Sequence, residues 1–474
     1  MKEYDVAIIG GGPAGIYAAV ELIKLTGGSL KVALFDRGAR VEERSCPITR
    51  EAIDTSGSYT GKLLNCGSCV ICHILYGIGG AGTFSSGTVN LRPDIGGDLD
   101  KLLGSWEKAE EVIKYVDKIL LEFGAPQETL LEPDLRKIRS IERLVAKAGA
   151  KFIPATQRVL GSENVIKVVY NITKFLEENN VKIFSFTSVI DIASDQNIYK
   201  LNTSSGDFYA HKVLLAPGRG GARWFKDIAE RLGIEVEPGP LDIGVRVEVP
   251  YYITEHIVKV NYDPKVVMYT RSYDDMVRTF CTNPQGYVIK EMYDDGTVGV
   301  NGESYNTVKS KNTNFALLVT LKLTVPYTDV LELGKSIARI ATKVGIGKPI
   351  IQRLGDLEKG RRSTWDMISR SVITPTLRDS TPGDISLVLP QRVMENILEA
   401  IERLDVLYPG LASPQTLLYA PEIKYYSVKA KINENFETTA PSVYVAGDGV
   451  GLSRGINVAA ATGVLAARGI VRTL

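Results

Sequence analysis

Three groups of residues in this 474-residue chain have the types and spacing to do chemistry. The first is Gly10-Gly11-Gly12-Pro13-Ala14-Gly15, whose backbone N–H groups could cradle phosphates. The second is a cysteine block: four of the five cysteines, Cys46, Cys66, Cys69 and Cys72, fall within 27 residues. Three thiolates at x2 spacing with a remote Cys46-Pro47 match the ligand run of an iron–sulfur cube. The same four would also suit tetrahedral zinc, and disulfides or free thiols stapling an irregular loop are equally open. His73 adjoins the block as a further candidate ligand. The third group is Arg361-Arg362-Ser363-Thr364, where two guanidiniums beside hydroxyls could grip a carboxylate or phosphate of a substrate. Its alternative is a solvated loop. No Ser/His/Asp triad or carboxylate pair can be argued, so a catalytic acid or base is not assigned. Cys281 stands alone on an expected strand and reads as a buried apolar cysteine. His211 and His256 read as structural.

The elements that must position the first group are all visible. Val6-Ala7-Ile8-Ile9 is a buried strand, Ile16 to Leu25 a helix, and Lys31 to Phe35 a second strand ending in Asp36. Strand, glycine turn, helix, strand and terminal acid come in the order a dinucleotide-binding unit needs. Gly10 allows the tight turn, Gly12 lets backbone approach a pyrophosphate, and Gly15 lets helix sit on strand. Pro13 and Ala14 open the helix, whose N-terminus favours the phosphates. Asp36, followed by Arg37, is placed to accept ribose hydroxyls.

The C-terminus selects the dinucleotide. Ser442 to Ala446 reads as a strand, Gly447-Asp448-Gly449 as a turn, and Gly455-Ile456-Asn457 as the opening of a last helix. A second acidic turn so far from the first suits FAD, which is longer than NAD. Asp448 would hold the ribityl or pyrophosphate region, and the helix at Gly455 would aim its N-terminus at flavin N1 and O2. Val213 to Arg219, through Ala216 and Gly218, reads as a strand and small-residue turn closing the same domain. Gly80, Ala81, Gly82, Thr83, Phe84 and Ser85 are small enough for backbone to lie against the isoalloxazine ring, or form a flexible loop. Val189 is expected, by position only, to offer backbone to adenine.

Size and composition bound the rest. The chain is too long for one compact core. Its 56 basic and 55 acidic residues give a net charge of +1, which argues against a nucleic-acid partner. No run of 18 apolar residues is present, so no membrane span is expected, while peripheral membrane contact stays open. The first strand begins within a few residues of Met1, so no signal peptide and a cytoplasmic location are expected. Apolar spacing predicts a helix over 98–123 and another over 164–179. Residues 182–186 and 189–192 read as one bent strand. Strands are expected over 242–249, 265–270, 276–280, 286–293, 297–300 and 314–323, and helices over 331–344 and 391–404.

The fold class expected is α/β, a discontinuous Rossmann-like FAD-binding domain with an inserted α+β substrate domain. The FAD-binding domain takes residues 1–97, 161–225 and 421–474, with a helical insertion at 98–160 and the substrate domain at 226–420.

With these residues in hand, the chain resembles the uncharacterised FAD-dependent dehydrogenases of the glutathione-reductase-like flavoprotein superfamily. The likeness covers nearly the full length. It rests on Gly10 to Gly15, Cys46-Pro47-Ile48 with Cys66/Cys69/Cys72, and Gly79 to Ser85. It also rests on Asp242-Ile243-Gly244-Val245-Arg246-Val247-Glu248, Gly360 to Thr364, Pro382 to Leu387, and Gly447-Asp448-Gly449. The resemblance implies FAD and oxidoreductase chemistry without naming a substrate. The chain departs from it in having Ser86-Gly87-Thr88 in place of Asp-Gly-Lys, which removes two charged groups near the flavin. It also ends the second strand with Asp36, where many relatives have Glu.

The reading is an FAD-dependent dehydrogenase passing a hydride or electron pair between flavin and a small-molecule substrate or electron carrier. No second glycine fingerprint is visible, so NAD(P)H enters only as a transient reductant. Reduction of polyprenyl or quinone-type lipids is the alternative, followed by a flavin-dependent nucleic-acid modifier or scaffold.

Overall fold

A computed structural model describes residues 2–46, 69, 71–85, 87–195, 198–293, 295–321, 329–425 and 428–474. Cys66 and Ser86 lie outside the described residues. Two sheets organise these segments. The first is seven-stranded among the described residues, with Glu3–Ile9 and Gly206–Leu215 at its centre. Val32–Phe35 and then Lys182–Phe184 extend it in parallel on one side. Val443–Val445 joins the C-terminal half of Gly206–Leu215 in parallel. Ile198–Thr203 and Val189–Asp195 add an antiparallel meander. The parallel strands read as unbroken apolar runs because both faces are covered, as Val32–Phe35 shows by being buried throughout.

Two helices cover one face, Pro13–Thr26 and Ile456–Arg472, in backbone contact. A Cβ on Gly463 would stand 2.0 Å from the Ala14 carbonyl oxygen. Gly10 is another position that only glycine satisfies. Its φ is +110°, and a Cβ there would stand 2.0 Å from the Ala216 carbonyl oxygen. Strand one therefore hands over to the phosphate turn while pressed against the end of its neighbour.

The second sheet is eight-stranded among the described residues. Its order is Thr381–Pro382, Ile350–Arg353, Leu417–Tyr425, Leu241–Pro250, Asn312–Leu321, Met276–Asn283, Lys265–Tyr269, Ala150–Ile153. One face is apolar: Ile243, Val245, Val247, Leu317, Val319 and Val277 pack under Gln391–Leu404 and Leu135–Lys147. The opposite face is polar and also buried, and carries Asp242, Arg246 and Glu248 at alternate positions. Gly244 shares this register, and a Cβ there would stand 1.9 Å from the Leu317 carbonyl oxygen. A hairpin, Tyr287–Met292 with Val298–Glu303, is a separate two-stranded unit, its valines packed against Leu417 and Tyr419 of the sheet.

The strands expected in this block form, with ends moved by a few residues; the helices are Val330–Val344 and Gln391–Leu404. Two expectations are corrected. The 98–123 helix is broken into Leu99–Leu103 and Trp106–Glu122, because Gly104 takes the left-handed conformation and Ser105 caps the second piece by accepting from Lys108 N–H. Residues 182–186 and 189–192 are not one bent strand. Lys182–Phe184 and Val189–Asp195 stand on opposite sides of the first sheet, and the link between them ties Thr187 N–H to the Asp36 carbonyl at 2.8 Å.

The 98–160 stretch divides between the two cores. Val112, Ile113 and Val116 join the first, while Ile138, Ile141, Val145 and Phe152 join the second. The helix Ala222–Leu232 spans residue 226 and buries Phe225 and Ile228 in the first core.

The contact at Gly463 sets a test. Gly463→Ala should lower thermal stability by about 1–3 kcal/mol, the usual cost of forcing an extra methyl into a packed core. Calorimetry of the cofactor-free protein showing an unchanged midpoint would mean the two helices do not meet as closely as described.

Candidate active site

The two sheets enclose a cavity of about 690 Å³, within the range of small-molecule and cofactor sites. Its lining includes Asp36, Val189 and Trp224, and Gly10, Gly12, Gly80 and Gly218. It also includes Gly447 and Gly455, together with Asp263, Lys265, Phe280, Cys281 and Asn301 of the second domain.

Most expected cofactor residues line it: Gly10, Gly12, Pro13, Ala14, Asp36, Arg37, Gly80, Ala81, Gly82, Ser85, Val189, Ala216, Gly218, Arg219, Gly447, Asp448, Gly455, Ile456 and Asn457. Gly15, Thr83 and Phe84 do not. Gly15 is buried beneath the turn, where a Cβ would stand 1.9 Å from the Gly10 carbonyl oxygen. Thr83 and Phe84 face a buried cation instead, described below.

The cradle fits an FAD-like ligand. Pro13 opens the first helix, so the N–H groups of its first turn face the cavity without intrahelical partners. Asp36 accepts Gly11 N–H at 2.9 Å on one oxygen and Gly38 N–H at 2.8 Å on the other. Each oxygen keeps a second lone pair for a ribose hydroxyl. Burial raises its pKa above the ordinary carboxylate value, partly offset by those two N–H groups and by Arg44 and Arg37. Asp448 holds the Ser453 hydroxyl on one oxygen. The Asn457 amide is committed to the carbonyls of Asn90, Arg92 and Ile95, so it braces a neighbouring loop while it lines the cavity.

Arg44 went unnoticed in the sequence, where nothing marks it. It is fully buried. Its guanidinium donates to the carbonyls of His73 at 2.8 Å, Ile78 at 2.8 Å and Ile74 at 3.3 Å. It also donates to Thr83 Oγ1 at 3.3 Å and lies 4.8 Å from the Phe84 ring centre. Burial drops its pKa to about 10, against the opposing pull of Asp36, Cys72 and Glu303. Arg44 thus ties the cysteine segment to the glycine loop Gly79–Ser85.

The cysteine block is only partly described, since Cys66 falls outside. Cys46 and Cys72 both pack against Ile74, Phe84 and Ile289. Cys69 and Cys72 are thiols. Among the described residues, no group of three His, Cys, Asp or Glu side chains is arranged to hold a metal. His73 Nδ1 accepts Ser45 N–H at 2.9 Å. Burial and then Arg44 lower its pKa.

The structure does not bring Arg361, Arg362, Ser363 and Thr364 to the cavity. Their polar groups fold onto Asp356 and the next helix. Arg361 Nε and the Ser363 hydroxyl donate to Asp356 at 2.9 and 2.8 Å, and Thr364 caps Trp365–Ser369. Burial would raise Asp356, but hydrogen bonds from Arg353, Ser363 and Arg361 outweigh it and hold the carboxyl at about 2. Arg362 is exposed.

The cavity's second-domain wall comes from residues that sequence reasoning passed over. Lys265 is buried among apolar neighbours on Lys265–Tyr269 and pairs with Asp263, which also accepts Thr282 N–H at 2.8 Å. A lysine opening an apolar strand was the available signal. Cys281 is corrected: it is half-buried, lines the cavity and sits at a β-bulge with φ +48°. The bulge re-aims its side chain out of the sheet's alternation.

Behind the glycine loop lies Glu303. One carboxylate oxygen accepts the Ser162 hydroxyl at 2.8 Å, and that hydroxyl also contacts the Ser85 carbonyl at 3.0 Å.

Residues 240–425 match the model for "FAD-dependent protein, C-terminal domain-like". An uncharacterized protein of Clostridium beijerinckii is 24% identical over 495 residues, covering 98% of this chain and 80% of its own length. A glycine oxidase of Geobacillus kaustophilus is 24% identical over 267 residues, 54% of this chain and 65% of that protein. The crystal structure of glycine oxidase from that organism aligns over 100% of this chain and 95% of its own, at 12% identity and a TM-score of 0.42. The family description names FAD dependence for this region and no substrate. Among the described residues, no helix is long and apolar enough to cross a membrane.

Glu303 gives a test by pH. Burial is the main cause that lifts its carboxyl from 4.5 to about 7, with Ser162, Tyr305 and Arg44 pulling it partly back. The folded chain therefore holds this proton more tightly than the unfolded chain. Its contribution to stability is lost as pH rises from 4.5 to about 7, and the cost persists above. Glu303→Gln should change little near the bottom of that window and stabilise at about pH 8 by at most on the order of 3 kcal/mol. Equal effects of the substitution at both pH values would show that Glu303 does not titrate in this way.

Proposed function

We propose that the cavity holds one extended FAD, with the flavin ring between the glycine loop and the second-domain wall. Asp36 and Val189 take the adenosine end, and Gly10, Gly12, Pro13 and Ala14 take the pyrophosphate. Asp448 takes the ribityl chain, and Gly455 with Ile456 places the last helix at the ring. Segments 1–97, 161–225 and 421–474 form the cofactor side, and 226–420 presents the substrate wall. The observation that carries this reading is the single cavity that joins all of these segments to Lys265, Phe280, Cys281 and Asn301.

When bound, FAD would supply the electron-pair acceptor. The chain's own part is to bind, orient and desolvate. Helix N-termini at Pro13 and Ile456 favour negative charge at the phosphates and at the ring. The second-domain wall orients a small-molecule substrate against the ring. Charged groups at this wall favour a polar substrate over a polyprenyl or quinone-type lipid. The glycine oxidase relative makes small amines and amino acids the first candidates to assay as reductants. The cysteine segment, tied by Arg44 to the glycine loop, stands close enough to influence the ring. Anaerobic metal analysis and thiol titration would separate an iron–sulfur cluster, zinc and free thiols there.

Purified protein should carry FAD, identified by chromatography after heat release, and anaerobic substrate should bleach its visible band. Asp36→Ala and Asp448→Ala should each weaken FAD retention about tenfold or more, the size of one charge-assisted hydrogen bond. The Arg361→Ala/Arg362→Ala double variant should keep wild-type flavin content. Folded protein that stays colourless after FAD is supplied would end this reading.

A further inference from the structure

The Ser162 hydroxyl stands between two acceptors and has one proton to give. It lies 2.8 Å from Glu303 Oε1 and 3.0 Å from the Ser85 carbonyl oxygen. A carbonyl cannot donate, so the carboxyl has to resolve the competition. With a proton on Glu303, the carboxyl donates to Ser162 and Ser162 donates to Ser85, and both contacts are hydrogen bonds. With Glu303 ionised, the closer and charged acceptor takes the Ser162 proton. The Ser85 carbonyl then falls back on the longer bond from Ser304 N–H, at 3.4 Å.

Ser85 is where this proton meets the cavity. It lines the wall, and its hydroxyl donates back to the Gly82 carbonyl at 2.8 Å. Just beyond it the chain is seated on the start of the helix Gly161–Glu178. Leu160 N–H donates to the Gly87 carbonyl at 3.0 Å, and a Cβ on Gly87 would stand 2.7 Å from the Gly161 nitrogen. Glu303 and Ser162 are both buried, so the exchange of partners takes place away from solvent. The groups facing Glu303 pull both ways. Burial raises its carboxyl most, hydrogen bonds from Ser162 and Tyr305 lower it, Glu163 raises it and Arg44 lowers it. Tyr287 is its partner across the hairpin, and Cys46 acts on Tyr305. His73, on the segment leading into the glycine loop, is held below its ordinary value by burial and by Arg44.

We propose that Glu303 is a positioning residue for the flavin: its proton decides, through Ser162, whether the Ser85 carbonyl is held, and so how firmly the glycine loop is fixed on the cavity wall. The acid form holds the loop against Gly161, and the ionised form loosens it. The effect on the flavin rests on the FAD reading above, whereas the effect on the loop does not.

Two variants hold the two forms at every pH. In Glu303→Gln the side-chain amide donates to Ser162 as the acid does, and Ser162→Ala removes the bridge. The loop is read first, in the full chain without cofactor, by hydrogen exchange at the Gly87 and Leu160 amides. Proteins are compared at the same pH, so that the intrinsic rate cancels. At about pH 5 wild type and Glu303→Gln should exchange alike, and Ser162→Ala about fivefold faster, the size of one ordinary hydrogen bond. At about pH 8.5 wild type should join Ser162→Ala, and Glu303→Gln should stay about fivefold slower. Either variant decides the question if the other does not fold. Equal exchange in all folded proteins at both pH values overturns the proposal, and so does a slowing in Glu303→Gln that is spread evenly over the chain. The flavin is read second. In the FAD-bound wild type, absorbance and the rate of FAD release should change together in a one-proton step. Both variants should be flat, at opposite limits. A step that survives in Glu303→Gln belongs to another group, such as His73, and overturns the assignment. A loop that switches beneath an indifferent flavin overturns the positioning role, whereas a protein that takes up no FAD defeats the FAD reading and leaves the exchange test to decide the loop.

Discussion

The ion pair between Arg246 and Glu422, with both side chains at 0% exposure, is the constraint around which the second domain is built. Burial alone would lower the arginine and raise the carboxyl. The partner's charge outweighs burial at both, so Arg246 is raised and Glu422 is lowered. Such a pair adds little net stability, but removing one partner strands the other and costs about 3–5 kcal/mol. Its neighbours are fixed accordingly. Asn314 accepts from Arg246 Nη1 at 2.7 Å, and the Cys281 carbonyl does so at 3.2 Å. Gly302 must be glycine, since a Cβ there would stand 2.2 Å from Arg246 Nη1. The hairpin over the sheet and the bulge that presents Cys281 are both held by this one guanidinium.

Arg44 plays the matching part in the first domain. A loop of glycines has little side-chain packing of its own, so its shape must be imposed from outside. Arg44 does this by donating to successive carbonyls of the segment that leads into it. Because a guanidinium carries five N–H donors in a fixed plane, it can serve several carbonyls at once, which lysine could not. The Ser162–Glu303 link holds the far end of the loop at Ser85. The loop proposed to touch the flavin is thereby pinned at both ends by groups that do not line the cavity.

What could be read from the sequence follows from what is local. Gly10, Gly12, Gly15 and Asp36 sit within one strand–helix–strand unit, and chain-local rules place them. Gly447 and Asp448 were legible because the unit they complete is itself short. The alternation in Asp242-Ile243-Gly244-Val245-Arg246-Val247-Glu248 showed a two-faced strand, but alternation normally means that the polar face meets solvent. Here both faces are buried, and only the pairing of Leu241–Pro250 with Leu417–Tyr425 reveals it by setting Gly244 opposite Glu422. Arg361 and Arg362 look like an anion clamp in one dimension. In three they face Asp356 or solvent. Arg44, in contrast, has no motif around it, and the partners of its side chain are 29 or more residues away; Lys265 has its partner Asp263 close by, but the cavity wall it joins with Phe280 and Cys281 comes from another strand. Cys281 was misread for a related reason, since strand periodicity places side chains correctly only until a bulge shifts the count.

The cavity is assembled from segments that are far apart in the chain. Its lining draws on residues near 36, 189 and 224 and on residues near 80, 265, 281, 301 and 455. The two sheets contribute opposite walls, and the 98–160 stretch is rooted in both cores. A ligand that spans the cavity contacts both domains, so its binding energy adds to the stability of their arrangement and not to either core alone.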